Sequence, residues 1–90
     1  MKEQQESSQD TLEAAEKESE LIVYNDEVNT FDHVINTLIR VCKHSNEQAQ
    51  QCTLIIHFKG KCTVKTGPIE KLKSACQGIL DAGIQAEIVS

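Results

Sequence analysis

The spacing of apolar residues changes four times after residue 20, and these changes indicate where strands and helices lie. A run of β-branched and aromatic residues at 21–24 predicts a strand that begins abruptly at its first residue. Apolar residues then repeat at helical spacing from Phe31 to about His44, which predicts an amphipathic helix. Asn29 or Thr30 is expected to be the N-cap of this helix.

A second helix and a second strand are expected to follow directly. Ser45 and Gln48 form the Ser-x-x-Gln pattern of a capping box, so a helix should begin there and end at Gly60. Its apolar residues are Ala49, Cys52, Ile55 and Ile56. Apolar and polar residues then alternate at 62–65, which predicts a strand.

A third helix and a closing strand complete the pattern. Residues 66–68, Thr-Gly-Pro, are typical of a turn, and Pro68 is expected just inside the next helix. The predicted buried stripe of this helix consists of Ile69, Leu72, Cys76, Ile79 and Leu80. Gly83 is the expected left-handed C-terminal cap, and a last strand is expected at 86–89.

The predicted order is therefore β-α-α-β-α-β, an α+β fold in which helices cover one face of a three-stranded antiparallel sheet. Ninety residues allow one small domain, which we assign to residues 21–90. Residues 1–20 are rich in Glu, Gln and Ser. Because they bury too little apolar surface to offset the entropy lost on ordering, we expect a flexible, disordered extension there.

The negative charge of the chain belongs to this extension. Residues 1–20 carry seven acidic residues against two lysines, whereas residues 21–90 carry seven acidic and seven basic residues. The chain thus lacks the basic stripe that binds a phosphate backbone, and nucleic acid is not an expected partner. No stretch is apolar enough for a signal peptide or a membrane span, so we expect a cytoplasmic protein, monomeric and without membrane contact.

The chain contains four cysteines, Cys42, Cys52, Cys62 and Cys76. They form no Cys-x-x-Cys pair and no cluster at zinc-ligand spacing, and each falls on a predicted apolar face. Reduced core residues are therefore favoured over disulfides, and neither a metal nor a cofactor is expected. Cys42 and His44 are two residues apart on a helix and point in different directions, so no catalytic pair is expected. We expect His33 and His44 at the surface or at helix caps.

Acceptor side chains lie where the first strand meets the first helix. Asn25 offers an amide oxygen and Asp26 a carboxylate, while His57, near the end of the second helix, offers a ring nitrogen. A free protein amino terminus has three donors and no acceptor, so several acceptors that converge on one point distinguish it from internal peptide. We interpret these three residues as a site for the amino terminus of another protein.

An apolar cavity beside these acceptors would accommodate the first side chain of that protein. Its candidate walls are Val28, Phe31 and Val34 from the first helix region and Thr53 and Ile56 from the second helix. Two simpler interpretations stay open on the residues alone. An Asn-Asp pair at a strand end is typical of an ordinary turn, and a single histidine on an apolar helix is typical of a packing residue.

Two stretches resemble the ClpS family, the adaptors that deliver N-end rule substrates to Clp AAA+ proteases. The first is Tyr24-Asn25-Asp26-Glu27, followed by the amphipathic helix. The second is the run 49–60, Ala-Gln-Gln-Cys-Thr-Leu-Ile-Ile-His-Phe-Lys-Gly, which is similar to the family's helix that ends in His and Gly. The predicted β-α-α-β-α-β order also fits, so the resemblance covers residues 21–90.

The resemblance implies a function. In ClpS proteins the corresponding Asn, Asp and His hold the α-amino group of a destabilising N-terminal residue, which is Leu, Phe, Tyr or Trp. By position these are Asn25, Asp26 and His57, and the resemblance adds Asn29 and Ala86 to the pocket wall. It also implies a non-enzymatic adaptor that docks on the N-terminal domain of a ClpA- or ClpC-type unfoldase, which would engage the acidic extension.

Several positions depart from the family pattern. Thr30 stands where a proline is common, and Val28 stands where an aromatic residue is frequent. Thr53 replaces a methionine that typically narrows the pocket mouth, which predicts a wider pocket and weaker rejection of Ile and Val. The chain also looks shorter at 66–69, near the family's Clp contacts, and Lys71 is the best remaining match to those contacts.

Two other functions stay open on the sequence. The chain is compatible with a modulator of the unfoldase that keeps the fold and Clp docking but does not select N-terminal residues. It is also compatible with a small structural domain such as the C-terminal domain of the ribosomal stalk protein, which has a similar architecture. That domain does not require the set of Asn25, Asp26 and His57.

Overall fold

The computed structural model describes residues 17–90. Its elements are β1 (Glu18–Tyr24), α1 (Phe31–Cys42), α2 (Asn46–Lys59), β2 (Lys61–Pro68), α3 (Ile69–Asp81) and β3 (Ala86–Val89). This order confirms the predicted small α+β domain with the order β-α-α-β-α-β. The flexible extension predicted at 1–20 falls largely on residues 1–16, which lie outside the described residues.

The sheet is antiparallel, and β1 lies between β2 and β3. Burial alternates along β1, so that Ser19, Leu21 and Val23 are buried while Glu18 and Glu20 are exposed. One face of the sheet therefore carries the core, and the other faces solvent.

The first strand begins at Glu18, three residues earlier than predicted, so Glu18–Glu20 belong to the domain rather than to the extension. Their polar side chains gave no sign of a strand in the sequence, because strands pair through backbone hydrogen bonds. Glu18 pairs with Pro68 of β2, and Glu20 pairs with Val89 of β3.

The prediction of a turn at 66–68 is also wrong, because backbone pairing with β1 extends the second strand through these residues. These residues continue β2 and pair with the early part of β1, so that Thr66 lies opposite Glu20 and Gly67 opposite Ser19. Pro68 is the N-cap of α3 rather than its first residue. The second strand therefore runs into the third helix without a loop.

The predicted helix ends are largely confirmed. Thr30 is the N-cap of α1, where its hydroxyl accepts from the backbone N–H of His33 at 3.1 Å. Ser45 and Gln48 form the capping box of α2, and Gly60 ends that helix with φ of 93°. The first helix ends at Cys42, two residues before the predicted position.

The end of α3 is a Schellman motif, in which Gly83 adopts φ of 84°. The N–H of Gly83 donates to the carbonyl of Leu80 at 2.9 Å, and the N–H of Ile84 donates to that of Ile79 at 3.2 Å. This motif turns the chain back toward β3 and fixes the position of Ile84. Gly83 therefore has the left-handed conformation that was predicted.

The predicted buried stripe of α3 is partly wrong. Leu72, Ala75 and Ile79 are buried on one helix face, whereas Ile69 and Leu80 are each 41% exposed. Leu80 follows Ile79 and so lies about 100° around the helix from it, beyond the edge of the core. The same reason places Ile55, next to the buried Ile56, at the surface of α2.

His44 is buried rather than at the surface, and its backbone N–H donates to the carbonyl of Leu38 at the end of α1. The pairing of β1 with β2 passes from Leu21–Lys65 to Ile22–Thr63, which leaves Val64 as the extra residue of a β-bulge. The carbonyl of Val64 accepts from His44 Nε2 at 2.7 Å. The side chain of His44 therefore bonds the strand at the irregularity in its ladder.

The four cysteines are free thiols. Cys42 is buried, and the other three are half-buried beside the core. Burial raises the pKa of Cys42 and Cys76, and burial together with neighbouring Cys52 raises the pKa of Cys62 to about 12. Because the thiolate is the nucleophile, these surroundings disfavour reactivity at neutral pH.

Candidate functional site

A cavity of about 380 Å³ lies where β1 ends, between the start of α1, the end of α2 and the turn after α3. Such a volume falls in the range of about 300–1,000 Å³ that is typical of small-molecule sites. Its lining residues are Val23, Tyr24, Asn25, Asp26, Glu27, Asn29, Thr30, Phe31, Val34, Thr53, Ile56, His57 and Ile84.

The end of β1 is joined to the end of α2 by one backbone hydrogen bond. The N–H of Asn25 donates to the carbonyl of Gly60 at 2.9 Å. The left-handed conformation of Gly60 ends α2 and starts β2 at this point. As a result, Asn25 and Asp26 line the same cavity as His57, although more than 30 residues separate them along the chain.

Asp26 organises the loop between β1 and α1. Its Oδ1 accepts from the N–H of Val28 at 2.9 Å and from that of Asn29 at 2.8 Å, while its Oδ2 accepts from Asn29 Nδ2 at 2.8 Å. The backbone N–H of Asn29 is the main reason why the pKa of Asp26 lies below its ordinary value. The carboxylate is thus ionised at neutral pH, and Oδ2 keeps a free acceptor position.

Asn29 also joins this loop to the turn after α3. Its Nδ2 donates to the carbonyl of Gly83 at 2.9 Å as well as to Asp26. One turn into α1, His33 Nε2 lies 2.8 Å from the carbonyl of Ala82. Two side chains therefore hold the start of α1 against the end of α3 and close one side of the cavity.

His57 is exposed on the last turn of α2 and lies between two aromatic rings. Its ring centroid is 5.1 Å from that of Phe31, at an interplanar angle of 69°, and 5.0 Å from that of Phe58, at 75°. Both arrangements are edge-to-face, which restrains the imidazole against the cavity wall. No hydrogen bond from another residue within 17–90 occupies its ring nitrogens.

The interior of the cavity is apolar. Val34, Thr53, Ile56 and Ile84 are each at most 8% exposed. The hydroxyl of Thr53 donates to the carbonyl of Ala49 at 2.8 Å, so it offers no free donor to a ligand. The acceptors Asn25, Asp26 and His57 therefore border a cavity whose inner walls suit a hydrocarbon side chain.

The structure brings most of the predicted site residues together at this cavity. Those that line it are Asn25, Asp26, Asn29, Phe31, Val34, Thr53, Ile56 and His57. Two predicted wall residues, Val28 and Ala86, are not among the residues that line it. Val28 is 87% exposed, because the turn around Asp26 directs it outward. Ala86 is paired with Val23 within the sheet, and Ile84 reaches the cavity instead.

Sequence reasoning missed Glu27 and Ile84. Glu27 follows Asp26 directly, and its carboxylate has no hydrogen-bond or ion-pair partner within residues 17–90. A second acid in the motif was a usable signal. Ile84 had no comparable signal, because only the turn at Gly83 brings it to the site.

Lys71, the predicted Clp contact, is exposed on the first turn of α3. The start of α3 follows Pro68, which pairs with the first residue of β1, whereas the cavity lies beyond the last residue of β1. Lys71 and the cavity are therefore at opposite ends of the sheet, so both surfaces are accessible at the same time.

Within the described part of the chain, no group of three or more His, Cys, Asp or Glu side chains is arranged to hold a metal ion. Among the helices of residues 17–90, none has the length and apolar character to span a membrane.

Comparisons with known proteins agree with this fold. The chain is 32% identical to the ATP-dependent Clp protease adapter protein ClpS of Thermosynechococcus vestitus over 65 residues, and this alignment covers 71% of the chain and 69% of the relative. The structure of the chain matches that of Agrobacterium tumefaciens ClpS2 bound to L-phenylalaninamide with a TM-score of 0.69 and 19% identity. This match covers 80% of the chain and 94% of ClpS2. The model of the family "ATP-dependent Clp protease adaptor protein ClpS" matches residues 14–87. The chain therefore belongs to the ClpS family of Clp protease adaptors.

Proposed function

We propose that this adaptor binds proteins whose first residue is Leu, Phe, Tyr or Trp, and that it delivers them to a ClpA- or ClpC-type unfoldase. Such a destabilising first residue is an N-degron. The observation that supports this function is the position of Asn25, Asp26 and His57 beside one apolar cavity. The catalytic work belongs to the protease, and the adaptor contributes recognition alone.

The α-amino group of the N-degron is an ammonium with three donors. Asn25 Oδ1, Asp26 Oδ2 and a ring nitrogen of neutral His57 are the three acceptors that we assign to it. Asp26 also supplies the negative charge, which strengthens its hydrogen bond. An internal peptide nitrogen has neither the charge nor three donors, so it is rejected.

Glu27 supplies a second carboxylate in this proposal. It lines the same cavity and is exposed, so it can approach the ammonium without the cost of leaving water. The loop hydrogen bonds occupy three acceptor positions of Asp26. Glu27 therefore has more acceptor positions available than Asp26.

The side chain of the first residue enters the apolar interior between Val34, Thr53 and Ile56. Burial of a Leu or Phe side chain contributes about 1.5–3 kcal/mol. Hydrogen bonds to a charged group contribute about 1.5–3 kcal/mol each. After the cost of association, we expect micromolar affinity, or about −8 kcal/mol, which allows release of the cargo. ClpS2 was solved with L-phenylalaninamide, which has a free α-amino group and an apolar side chain, and the same ligand class is proposed here.

Fluorescence anisotropy with a labelled peptide that begins with Leu tests this function. Binding that disappears with an N-acetylated peptide, and in the Asp26→Ala variant, is the expected result. Absence of binding to peptides that begin with Leu, Phe, Tyr or Trp would contradict it. The chain would then act as a modulator of the unfoldase without N-degron selection, which pull-down of a Clp unfoldase examines directly.

Docking on the unfoldase is proposed for the opposite end of the sheet, with Lys71 as a contact. The acidic residues before Glu18 are proposed as the segment that the unfoldase engages while the domain holds the cargo. We propose a cytoplasmic monomer. Loss of unfoldase capture in Lys71→Ala, with Leu-peptide affinity unchanged, is the expected outcome for the contact, and unaltered capture would remove Lys71 from it.

A further inference from the structure

We infer that Phe58 binds the second residue of the N-degron and favours an apolar or aromatic side chain at that position. This inference rests on the proposed function of the cavity. It extends recognition from the first residue of the cargo to the first two.

Phe58 is the outermost member of a series of three rings. Phe31 lines the cavity, His57 follows at a centroid distance of 5.1 Å, and Phe58 follows His57 at 5.0 Å. Phe58 itself does not line the cavity, and it is 77% exposed. The series therefore leads from the cavity wall to the solvent along the last turn of α2.

Phe58 has little to contribute to the core. The residues of α2 that face the core are Ala49, Thr53 and Ile56. Phe58 follows Ile56 by two positions, which places it about 200° around the helix and on the opposite side. A large apolar side chain so exposed beside a binding cavity indicates a contact surface.

The course of a bound peptide brings its second residue to this ring. With the α-amino group at His57 and the first side chain inside the cavity, the chain must leave across the rim. Consecutive Cα atoms are about 3.8 Å apart, so the side chain of the second residue begins within reach of the Phe58 ring beside His57. An aromatic or large aliphatic side chain there gains an apolar partner, whereas Gly gains nothing.

Two labelled peptides that differ at one position test the inference, one beginning Leu-Phe and the other Leu-Gly. Wild type should bind the Leu-Phe peptide about 2- to 10-fold more tightly, as expected for one aromatic pair. Phe58→Ala should abolish this ratio, because the affinities for Leu-Phe and Leu-Gly become equal even if loss of the contact with His57 lowers both, while Phe58→Leu should keep part of it. Ile69→Ala, at the opposite end of the sheet and also partly exposed, is the matched control and should keep the full ratio.

Equal affinities in wild type, or a ratio that survives in Phe58→Ala, would overturn the inference while the proposed function stands. Failure of both peptides to bind wild type would overturn the proposed function, and the inference with it. The affinity for Leu-Gly therefore separates the two failures.

Discussion

The side-chain amide of Asn29 donates to the carbonyl of Gly83, 54 positions further along the chain, at 2.9 Å. The same nitrogen donates to Asp26. One side chain thus holds the acceptor loop at a fixed distance from the turn after α3. Because Ile84 follows that turn and lines the cavity, Asn29 links the polar and apolar parts of the site.

Asn29→Ala should therefore weaken both stability and binding. It removes two hydrogen bonds in partly exposed positions, which should lower the free energy of unfolding by about 1–2 kcal/mol. The affinity for a Leu peptide should fall several-fold, because Asp26 loses the donor that orients Oδ2. Urea denaturation and anisotropy measure the two effects. Asn36→Ala, on the exposed face of α1, is the control and should lower neither quantity, because Ala is the better helix former.

Asp26→Ala should reduce affinity for a Leu peptide more than Asn25→Ala does. The first change removes a charge, an acceptor and the three hydrogen bonds that shape the loop, whereas the second removes one neutral acceptor. Comparable losses for Asp26→Ala and Asn25→Ala, measured by anisotropy, would refute the role of the Asp26 charge.

Glu27→Gln should lower the affinity for a Leu peptide without any change in thermal stability, because no residue within 17–90 bonds the carboxylate of Glu27.

Binding should weaken as the solution becomes acidic. Protonation of His57 would place an imidazolium against the ammonium of the cargo, and the two like charges would repel each other. Asp26 stays ionised between pH 5 and 8, because the backbone N–H of Asn29 lowers its pKa. Affinity measured between pH 5 and about 7, where the α-amino group of the cargo stays charged, should therefore fall toward pH 5 in wild type and stay level in His57→Gln. A level profile in wild type would argue against His57 as an acceptor.

Thr53→Met should sharpen selection at the first residue. Thr53 is buried in the wall, and a longer side chain there narrows the space for a β-branched substituent. Wild type should accept peptides that begin with Ile or Val better, relative to Leu, than the variant does. Peptide binding in both proteins gives the ratio, and the same discrimination in both would show that Thr53 does not widen the pocket.

His44→Ala should destabilise the domain by about 2–3 kcal/mol. The change leaves the carbonyl of Val64 without its side-chain donor at the β-bulge and opens a cavity beside a buried position. Urea denaturation measures the loss. His33→Ala removes an exposed hydrogen bond and should cost less, so an equal loss in both variants would refute a special role for His44.

The helices and their ends were readable from the sequence, since caps and amphipathic faces depend on residues a few positions apart. The capping box at Ser45 and the left-handed residue at Gly83 are local features of this kind. The motif at Asn25 and Asp26 was also readable, because acceptor side chains at a strand end form a pattern within a few residues.

The tertiary structure decided what depends on distant backbone pairing. Glu18–Glu20 read as part of a polar extension, yet they lie in β1, because strands bond through their backbones to partners nearly 50 residues or more away. The same pairing converted the predicted turn at 66–68 into strand and created the bulge to which His44 bonds. The residues around a position do not show which distant strand its backbone will pair with.

The cavity shows the same division. The sequence by itself determined the acceptors Asn25, Asp26 and His57, since their chemistry is a property of each side chain. Only the tertiary structure decided the wall, where Ile84 replaces Ala86 and Val28 points to solvent. The Schellman turn and the Asx-type loop set these directions, and a difference of two positions along the chain moves a side chain into or out of the cavity.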